Sequence, residues 1–537
     1  MGNKSVTLII NSISLPINAS EEEAFLICRK RLSRDFILPT DAVFRIHKRS
    51  VDARKKDNIK FVYSVAVTAS FDKINTRLLQ KCGATLENCD EPSISFGKEP
   101  LGAPPVIVGS GPAGLFAGLV LAENGYNPVI LERGSCISER ILAVEAFKKT
   151  RCLDTNTNIQ FGAGGAGTFS DGKLITRIND SFSSYVLKKF VEFGAPKEIQ
   201  YLAKPHIGTD ILCTVVDNIL SRIVDLGGRV RYNTSFLDAD FENSKLTSVK
   251  TTAGDMPAGA LILAVGHSAR DTYFKLMDRG LSIEAKNFSV GMRIEHLAED
   301  IDKAMYGDFA GDERLGHAEY ALSHNTMVRG VYTFCMCPGG EVVAAASENG
   351  RLTVNGMSRH ARNGRNSNSA VVCSVFKDDY GGTPKSAIEF QRRIETSAFI
   401  SGGSNYSAPY ITLSDFYSGG LSKEPKRILP TYFDNSVKLA SPYDYLPNFV
   451  CDSMKSAICA FDKKINGFAC ADAVLTGPET RTSAPLRILR DNETHLAFGY
   501  KNLYPAGEGA GYAGGITSAS IDGIRVALSL MKKFKPI

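Results

Sequence analysis

The sequence predicts an α/β protein built around a parallel sheet, and three observations lead to this class. An apolar run, Val106 to Val108, enters a glycine turn, and a helix-like segment and a second apolar run follow it up to Glu132. Ala260 to Val265 is an unbroken apolar run, which is typical of a strand buried on both faces of a parallel sheet. Near the C-terminus, Asn502 to Ala527 again has the order strand, glycine turn, helix. At 537 residues the chain has room for two or three domains.

Residues 1–98 are expected to form an α+β appendage. Ser20 and Glu23 have the spacing of a capping box, which predicts a helix that begins there and runs to about Leu32. The βαββα order suggests a small two-layer domain of the ferredoxin-like kind. The other predicted elements are the strands Ser5 to Ile10, Val43 to His47 and Phe61 to Thr68, and a second helix from about Asp72 to Cys82.

The most basic stretch of the chain, Arg45 to Lys60, lies in this appendage and carries seven Lys and Arg against two Asp. A solvated hairpin is one interpretation. A docking surface for an acidic partner or a nucleic acid backbone is the other. No aromatic residue interrupts the basic residues, which disfavours single-strand binding by base stacking. The candidate face consists of Arg45, Lys48, Arg49, Arg54, Lys55 and Lys56.

The glycine turn after Val108 has the pattern that holds a dinucleotide. Gly109 permits the tight turn, Gly111 lets the backbone approach a pyrophosphate, and Gly114 lets the helix pack closely on the strand. The start of the helix offers free N–H groups and a partial positive charge to the phosphates. Glu132 ends the second strand, where a carboxylate can accept hydrogen bonds from ribose hydroxyls, and an acid there disfavours a 2′-phosphate.

A second glycine-rich loop, FGAGGAGTFSDGK, covers Phe161 to Lys173 and has five glycines in thirteen residues. Such a composition predicts neither a helix nor a central strand. Its backbone N–H groups could crowd against a flat or anionic ligand. A flexible linker is the alternative, but the loop contains Phe161 and Phe169, which are expected to be buried.

After this loop the chain is expected to return to the main sheet in the way that large two-part flavin-binding domains require. A helix from Asp210 to Leu226, a strand meander and the apolar run from Ala260 lead into the turn at Gly266. Phe236 would then lie where backbone atoms flank an adenine. The predicted domains are residues 1–98, the first part of the FAD-binding domain at 99–280, an inserted mostly β substrate domain at 281–449, and the C-terminal part of the FAD-binding domain at 450–537.

The C-terminal section supplies further candidates. Glu508 lies in a Gly-Glu-Gly turn and could bind ribityl hydroxyls. The helix that begins near Gly515 could direct its N-terminus at an electron-rich flavin edge. Arg481 could pair with a carboxylate or phosphate of a substrate, or form a salt bridge within the protein.

These motifs together resemble the FAD-dependent oxidoreductases of the glutathione-reductase-like flavin fold. More narrowly, the chain is similar to a bacterial family described as uncharacterised FAD-dependent dehydrogenases. The resemblance rests on KRSVDARKK, GAGGAGTFSDGKL, KPHIGTD, CMCPGG, NGMS and GEGAGYAGGITSA. It implies noncovalent FAD, an N-terminal appendage and a β-rich substrate domain, and Glu508 departs from the aspartate that is commoner at its place. The predicted FAD contacts are Gly109, Gly111, Pro112, Ala113, Gly114, Glu132, Arg133, Gly165, Ala166, Gly167, Thr168, Phe236, Gly266, Gly507, Glu508, Gly515, Ile516 and Thr517.

Twelve cysteines are scattered without a C-x-x-C pair, so neither a zinc site nor a disulfide framework is expected. Cys335 and Cys337 form the closest pair, and a redox dithiol, a single reactive thiolate and pocket-wall packing are three interpretations of it. Alternation in a regular strand would hold the two sulfurs away from disulfide geometry. We expect Cys337 to line the substrate pocket and to matter more than Cys335, with Arg481 as the second catalytic candidate.

Two functions from different classes follow. The first is an FAD oxidoreductase acting on a small organic substrate, to which NAD(P)H could deliver hydride by brief contact because no second G-x-G-x-x-G follows a strand. The second is a flavoprotein that modifies or senses a macromolecule docked on the basic appendage, and a flavin module without turnover is a weaker third. The sequence shows neither a bilayer-spanning apolar run nor a secretory signal, so a cytoplasmic protein is expected.

Overall fold

The computed structural model describes residues 6–34, 38–71, 79, 81–87, 94–176, 180–326, 328–422 and 424–537. The element that organises them is a five-stranded parallel sheet, called here the parallel sheet. Its strand order explains why chain segments far apart in sequence meet at one edge. The strands, from one side to the other, are Leu503–Pro505, Ala260–Leu263, Pro105–Val108, Val129–Leu131 and Arg229–Arg231.

Helices cover the parallel sheet, and the central one, Pro112–Glu123, is buried on all sides from Ala113 to Ala122. It packs against the helices Ile516–Lys533 and Thr209–Asp225. Gly523 makes the closest approach between the first two helices, because a Cβ there would lie 2.0 Å from the carbonyl oxygen of Ala113. The two helices that the sequence assigns to cofactor binding therefore lie side by side.

A second sheet, called here the insert sheet, has seven strands and accounts for the predicted β-rich part. Phe288–Leu297 lies at its centre with all ten residues buried. All neighbouring strands in it run antiparallel except Ala408–Thr412 and Val437–Leu439. The seven strands, in spatial order, are Ser323–Asn325, Gly330–Cys337, Asn366–Val375, Phe288–Leu297, Val474–Glu479, Ala408–Thr412 and Val437–Leu439.

The insert sheet extends beyond the boundary predicted at residue 449. Strand Val474–Glu479 pairs with the central strand Phe288–Leu297, and helix Asn448–Asp462 packs on the same sheet. The sequence pattern missed this because a buried strand that follows a helix looks like a continuation of an α/β unit. The end of the inserted part therefore moves from 449 to about residue 480, after this strand.

The appendage has a four-stranded antiparallel sheet and the helix Glu21–Leu32, whose capping box is formed by Ser20 and Glu23. Its strand order is the one that a ferredoxin-like domain has. Most of the second predicted helix, Asp72 to Cys82, lies outside the described residues. The strands, in spatial order, are Val43–Asp52, Lys60–Ala69, Val6–Pro16 and Ala84–Leu86.

The remaining elements connect these three sheets. A meander of Phe236–Glu242, Lys245–Thr251 and Gly254–Pro257 and two strand pairs, Ile283–Ala285 with Leu486–Ile488 and Glu341–Ala344 with Val354–Met357, complete the strands. None of the helices in the described part of the chain is both long and apolar enough to cross a membrane. The other helices are Ile137–Thr150, Phe182–Glu192, Arg270–Asp278, Ala298–Tyr306, Lys377–Tyr380, Pro384–Ser401 and Leu413–Ser418.

Candidate functional site

A cavity of about 460 Å³ lies where the carboxyl ends of the parallel strands face the insert sheet. Val108, Leu131, Ala264 and Ala506 line it at or just after the ends of four parallel strands. This edge is where open α/β sheets bind their ligands. The predicted site residues that line the cavity are Gly109, Gly111, Pro112, Ala113, Glu132, Arg133, Gly165, Ala166, Gly167, Phe236, Gly266, Arg481, Glu508, Gly515 and Ile516.

The glycines of the first turn have the geometry that their predicted roles require. Gly109 has a φ of +97°, and a Cβ on it would lie 2.4 Å from the carbonyl oxygen of Ala264. A Cβ on Gly114 would lie 1.9 Å from the carbonyl oxygen of Gly109, so this glycine permits the helix to pack on the turn and lies behind the cavity wall. A Cβ on Gly111 would meet nothing closer than 3.9 Å, so the space beside it is open to a ligand.

Glu132 is a buried carboxylate that joins the first turn to the second glycine-rich loop. One of its oxygens accepts hydrogen bonds from the N–H and the hydroxyl of Ser110, at 3.0 and 2.7 Å. The other accepts from the N–H groups of Gly134 and Gly162, both at 3.0 Å. Two carboxylate oxygens offer about four acceptor positions, so protein donors occupy them all. The predicted ribose contact stays a prediction, and the structure adds a role in holding the two loops together.

The second glycine-rich loop is held in place by Arg140, which the sequence analysis missed. Its guanidinium is fully buried and donates to the carbonyl oxygens of Asn158, Ile159 and Ala163, at 2.9, 2.9 and 2.6 Å. Burial lowers the pKa of Arg140 to about 10, which still leaves it charged at neutral pH. The loop ends in a short 3₁₀ turn, Ala166–Phe169, in which Thr168 is buried away from the cavity.

Two helices begin at this cavity. Pro112–Glu123 begins after Gly111 and Ile516–Lys533 begins after Gly515, and neither has an acidic residue in its first turn or a side-chain cap. Their first N–H groups and the positive ends of their dipoles therefore point toward the cavity without a competing carboxylate. Of the neighbouring predicted residues, Thr517 donates instead to the carbonyl oxygen of Leu174 at 2.8 Å and lies outside the cavity wall.

Hydrogen bonds with residues outside the cavity wall hold the turn that carries Glu508. Asp522 accepts a hydrogen bond of 2.7 Å from the N–H of Gly507, and Tyr273 donates to the carbonyl oxygens of Gly509 and Gly266 at 2.8 and 3.1 Å. Gly507 packs on Ala113 rather than on the cavity. Glu508 itself faces the cavity, and burial raises the pKa of its carboxyl to about 7, against the opposing charge of Lys286.

Arg481 borders the cavity, but its guanidinium is already paired within the protein. Two of its nitrogens donate to the two carboxylate oxygens of Glu395, at 3.0 and 2.9 Å, and a third donates to Ser268 and Ser347. Arg270 binds the same Glu395 with two hydrogen bonds of 2.7 Å. The prediction that Arg481 is free to bind a substrate anion is therefore corrected: the alternative of a salt bridge within the protein describes this structure.

The prediction that Cys337 lines the cavity is wrong. Cys337 is fully buried, whereas Cys335 lines the cavity with Phe334 and Met336. The strand pairing shifts register between Phe334 and Cys337, and Cys335 has a φ of +44°. This bulge breaks the regular alternation on which the prediction depended.

The far wall of the cavity comes from residues that the sequence did not single out as site residues. Lys173 has its ammonium 3.4 Å from Asp171 and 3.3 Å from Glu319, and Arg362 pairs with both of these carboxylates. The nearby cations hold the pKa of Asp171 at about 2 although burial opposes this. Of these wall residues, Asp171, Lys173, Lys204 and Asn355 lay in motifs noted from the sequence. Further residues of the wall are Gln160, His267, Ser268, Tyr320, Thr333 and Asn355.

The basic stretch is partly neutralised by its own neighbours. Arg45 pairs with Glu87, Arg54 pairs with Asp52, and Arg49 lies 3.7 Å from Glu21. The backbone of Arg49 also exchanges hydrogen bonds of 2.7 and 2.9 Å with Tyr201 and Ala203, next to Lys204 at the cavity. The appendage therefore contacts a cavity-wall segment, and a docking surface on it stays a prediction.

Comparison with known proteins places the chain in a family. Residues 287–482 match the family described as "FAD-dependent protein, C-terminal domain-like", and residues 8–68 match a domain of unknown function. An uncharacterised protein of Clostridium beijerinckii is 44% identical over 524 residues, which are 96% of this chain and 98% of that protein. The chain belongs to this family of FAD-dependent proteins. The family match covers the insert sheet, and the glycine-rich turns lie outside it.

The solved structures that are similar to this protein resemble it only distantly. The L-amino acid deaminase of Proteus vulgaris is 12% identical, with 83% of this chain and 97% of that chain covered and a TM-score of 0.33. The glycine oxidase of Bacillus cereus is 10% identical, with 79% and 93% covered and a TM-score of 0.29. Likenesses at these TM-scores carry no argument about this protein.

Proposed function

We propose that the protein is an FAD-dependent oxidoreductase that holds the cofactor along the edge of the parallel sheet and a small organic substrate against the insert sheet. One observation carries this proposal: the turn at Gly111, the carboxylate of Glu132 and the helix start at Gly515 all face one cavity. The turn at Gly111 and the helix start at Gly515 suit the pyrophosphate and the flavin ring of a single dinucleotide, and Glu132 holds the turn and the second glycine-rich loop together. When bound, FAD would supply two-electron redox chemistry.

The residues around the cavity fit this cofactor. The open space beside Gly111 leaves room for a pyrophosphate, and the N–H groups that begin the helix Pro112–Glu123 would bind its oxygens. The uncapped start of Ile516–Lys533 would stabilise negative charge on a flavin ring. Glu508, with its pKa near neutrality, can either donate or accept a hydrogen bond toward the ribityl chain.

The substrate side of the cavity is polar and close to charge balance. Lys173 and Arg362 neutralise Asp171 and Glu319, and Arg481 is bound to Glu395. Among the described residues of this wall, no unpaired guanidinium faces the cavity. The wall therefore favours a small polar molecule over a strongly anionic one. NAD(P)H would have to deliver hydride through this same cavity.

The test is the flavin content of the purified protein. We expect a yellow protein that releases FAD on denaturation, identified by chromatography, because only a dinucleotide would use both the Gly111 turn and the helix start at Gly515. Release of FMN, or of no flavin, would contradict the proposal.

A glycine substitution tests the assigned place of the pyrophosphate. Gly111→Ala puts a Cβ into open space, so the fold should persist while FAD binds at least about tenfold more weakly, a loss of about 1.4 kcal/mol. Gly330→Ala is the matched control, because its Cβ would make only ordinary contacts, at 3.4 Å or more, and Gly330 is not among the residues that line the cavity. Equal FAD affinity in the two variants would place the pyrophosphate elsewhere.

A further inference from the structure

Cys335 and Cys337 lie on an irregular strand, and the irregularity turns the Cys337 thiol toward Cys335. The register shift after Phe334 and the φ of +44° at Cys335 turn the backbone inside the strand Gly330–Cys337. The thiol of Cys337 donates a hydrogen bond of 3.4 Å to the carbonyl oxygen of Cys335. Both cysteines are free. The objection that a regular strand would keep the sulfurs apart therefore does not apply here.

The two thiols differ in access. Cys335 is half-buried and lines the cavity, whereas Cys337 is completely buried beneath it. A small molecule in the cavity can therefore reach only the first sulfur directly. The second sulfur lies behind the first on the same bulge, which suits an attacking and a resolving cysteine.

A buried cation lies beside the pair. Arg293 is fully buried, donates to the carbonyl oxygen of Cys335 at 3.0 Å and lies 3.8 Å from the Cys337 sulfur. The interaction with Cys337, with Arg293 and Lys173 nearby, lowers the pKa of Cys335 below the ordinary value of a thiol although burial and Glu479 oppose it. The same interaction and burial raise the pKa of Cys337. The charge of Cys335 also raises the pKa of Glu508.

Arg293 is held rigidly enough to act as this fixed charge. Glu479 accepts from it at 2.6 and 3.2 Å, Asn368 accepts at 2.7 Å, and Asn355 accepts at 2.9 Å. Because all of these partners are themselves buried or partly buried, the guanidinium cannot turn away from the cysteines. Lowered pKa values of this kind are typical of reactive cysteines next to a cation.

We propose that Cys335 and Cys337 are a redox-active dithiol that reduces a low-molecular-weight disulfide bound in the cavity. The Cys335 thiolate attacks one sulfur of that disulfide, an S–S bond forms, and the other sulfur leaves as a thiolate that takes up a proton. Cys337 then gives up its proton and attacks the Cys335 sulfur, which releases the second sulfur as a thiolate that is protonated. In sum, one substrate disulfide becomes two thiols while two cysteine thiols become one disulfide.

This exchange needs no flavin. Only the return of the cysteine disulfide to the dithiol, by two electrons and two protons from the reduced cofactor in the same cavity, rests on the proposed function. The two proposals can therefore fail separately.

The experiment uses bis(2-hydroxyethyl) disulfide, a small uncharged disulfide, as the probe, with peptide mass spectrometry as the readout, on the whole protein. In the wild type we expect a Cys335–Cys337 disulfide and two released mercaptoethanol molecules per chain from this pair. Cys337→Ser should stop at one mercaptoethanol attached to Cys335, because the resolving thiol is missing. Cys335→Ser should leave Cys337 unmodified, because the probe cannot reach it.

A pulse of iodoacetamide at different pH values tests which sulfur is the thiolate. Cys335 should react at least about tenfold faster than Cys337, and the midpoint of its pH–rate curve should lie below that of an ordinary thiol. Exposed Cys152 serves as the internal reference for an ordinary thiol. A wild-type protein that binds FAD but forms no Cys335–Cys337 disulfide would overturn the dithiol proposal alone. Modification of Cys337 at the wild-type rate of Cys335 in Cys335→Ser would overturn the assigned order.

Discussion

Glu508 shows how a single residue can combine a binding role with a pH response. Its carboxyl lies in a turn that Asp522 and Tyr273 fix, and its accessible side faces the cavity. Burial raises the pKa of this carboxyl to about 7, above the ordinary value of 4.5. Between these two pH values the unfolded chain has lost a proton that the folded chain without ligand keeps.

We therefore expect the free energy of unfolding of the flavin-free protein to fall as pH rises from about 4.5 to about 7. The expected fall is about 2 kcal/mol, since one pKa unit corresponds to about 1.4 kcal/mol and the open cavity screens part of the effect. Glu508→Gln should abolish this part of the pH dependence and be more stable than the wild type at pH 8. Urea unfolding at several pH values measures both quantities. Parallel curves for the two proteins would show that Glu508 titrates normally.

At the scale of elements, the site depends on two helices that begin at the same cavity. Gly523 brings Ile516–Lys533 onto Pro112–Glu123, because any Cβ there would lie 2.0 Å from the Ala113 carbonyl oxygen. The start of each helix is positioned by this contact and by the turns at Gly111 and Gly515. Close packing of the two helices therefore sets the spacing of the proposed pyrophosphate and flavin sites.

Gly523→Ala should push these helices apart. Overpacking of this kind typically costs about 1–3 kcal/mol of stability, and we expect FAD content to fall as well because the two helix starts separate. Thermal unfolding and the ratio of flavin to protein absorbance measure the two effects. Lys532→Ala, at an exposed position of the same helix, is the control and should leave both quantities unchanged. Full FAD content in Gly523→Ala would show that the helix spacing is not critical.

At the scale of the whole molecule, buried ion pairs join the parallel sheet to the insert sheet across the cavity. Glu395, on helix Pro384–Ser401, binds Arg270 and Arg481, which follow strands of the two different sheets. The two guanidinium groups hold the pKa of Glu395 well below its usual range although burial opposes them. Its stabilising contribution is therefore complete above about pH 4.5 and is lost only in strong acid.

Glu395→Gln should remove the carboxylate that the two buried arginines share, which leaves Arg270 with Glu348 at 2.7 Å and Arg481 with Glu348 only at 3.8 Å. We expect a loss of about 3 kcal/mol in the free energy of unfolding at pH 7, because one carboxylate then has to compensate two buried guanidinium groups. Urea unfolding measures the loss. Glu389→Gln on the same helix is the control, since the side chain of Glu389 is 46% exposed and pairs only with Arg392 among the described residues. A difference below 1 kcal/mol between the two variants would mean that water or other groups compensate the arginines.

The sequence by itself determined the features that depend on local geometry. The glycine spacing from Gly109 to Gly114 predicted a turn against a helix because only glycine fits such close backbone contacts, and the structure has these contacts. The apolar runs predicted parallel strands, and the capping box predicted the first helix. Each of these signals lies within a few tens of residues, so the order of the side chains was enough to find it.

Only the tertiary structure decided which side chains are free to act. The sequence could not show that Glu395, 86 positions away, neutralises Arg481, or that Arg293, 42 positions away, lies beside Cys335. Nor could it show the bulge that exchanged the places of Cys335 and Cys337, because the bulge arises from pairing with strand Asn366–Val375. The charge and the access of a side chain depend on partners that the folded sheets bring together, and those distances are not encoded in local pattern.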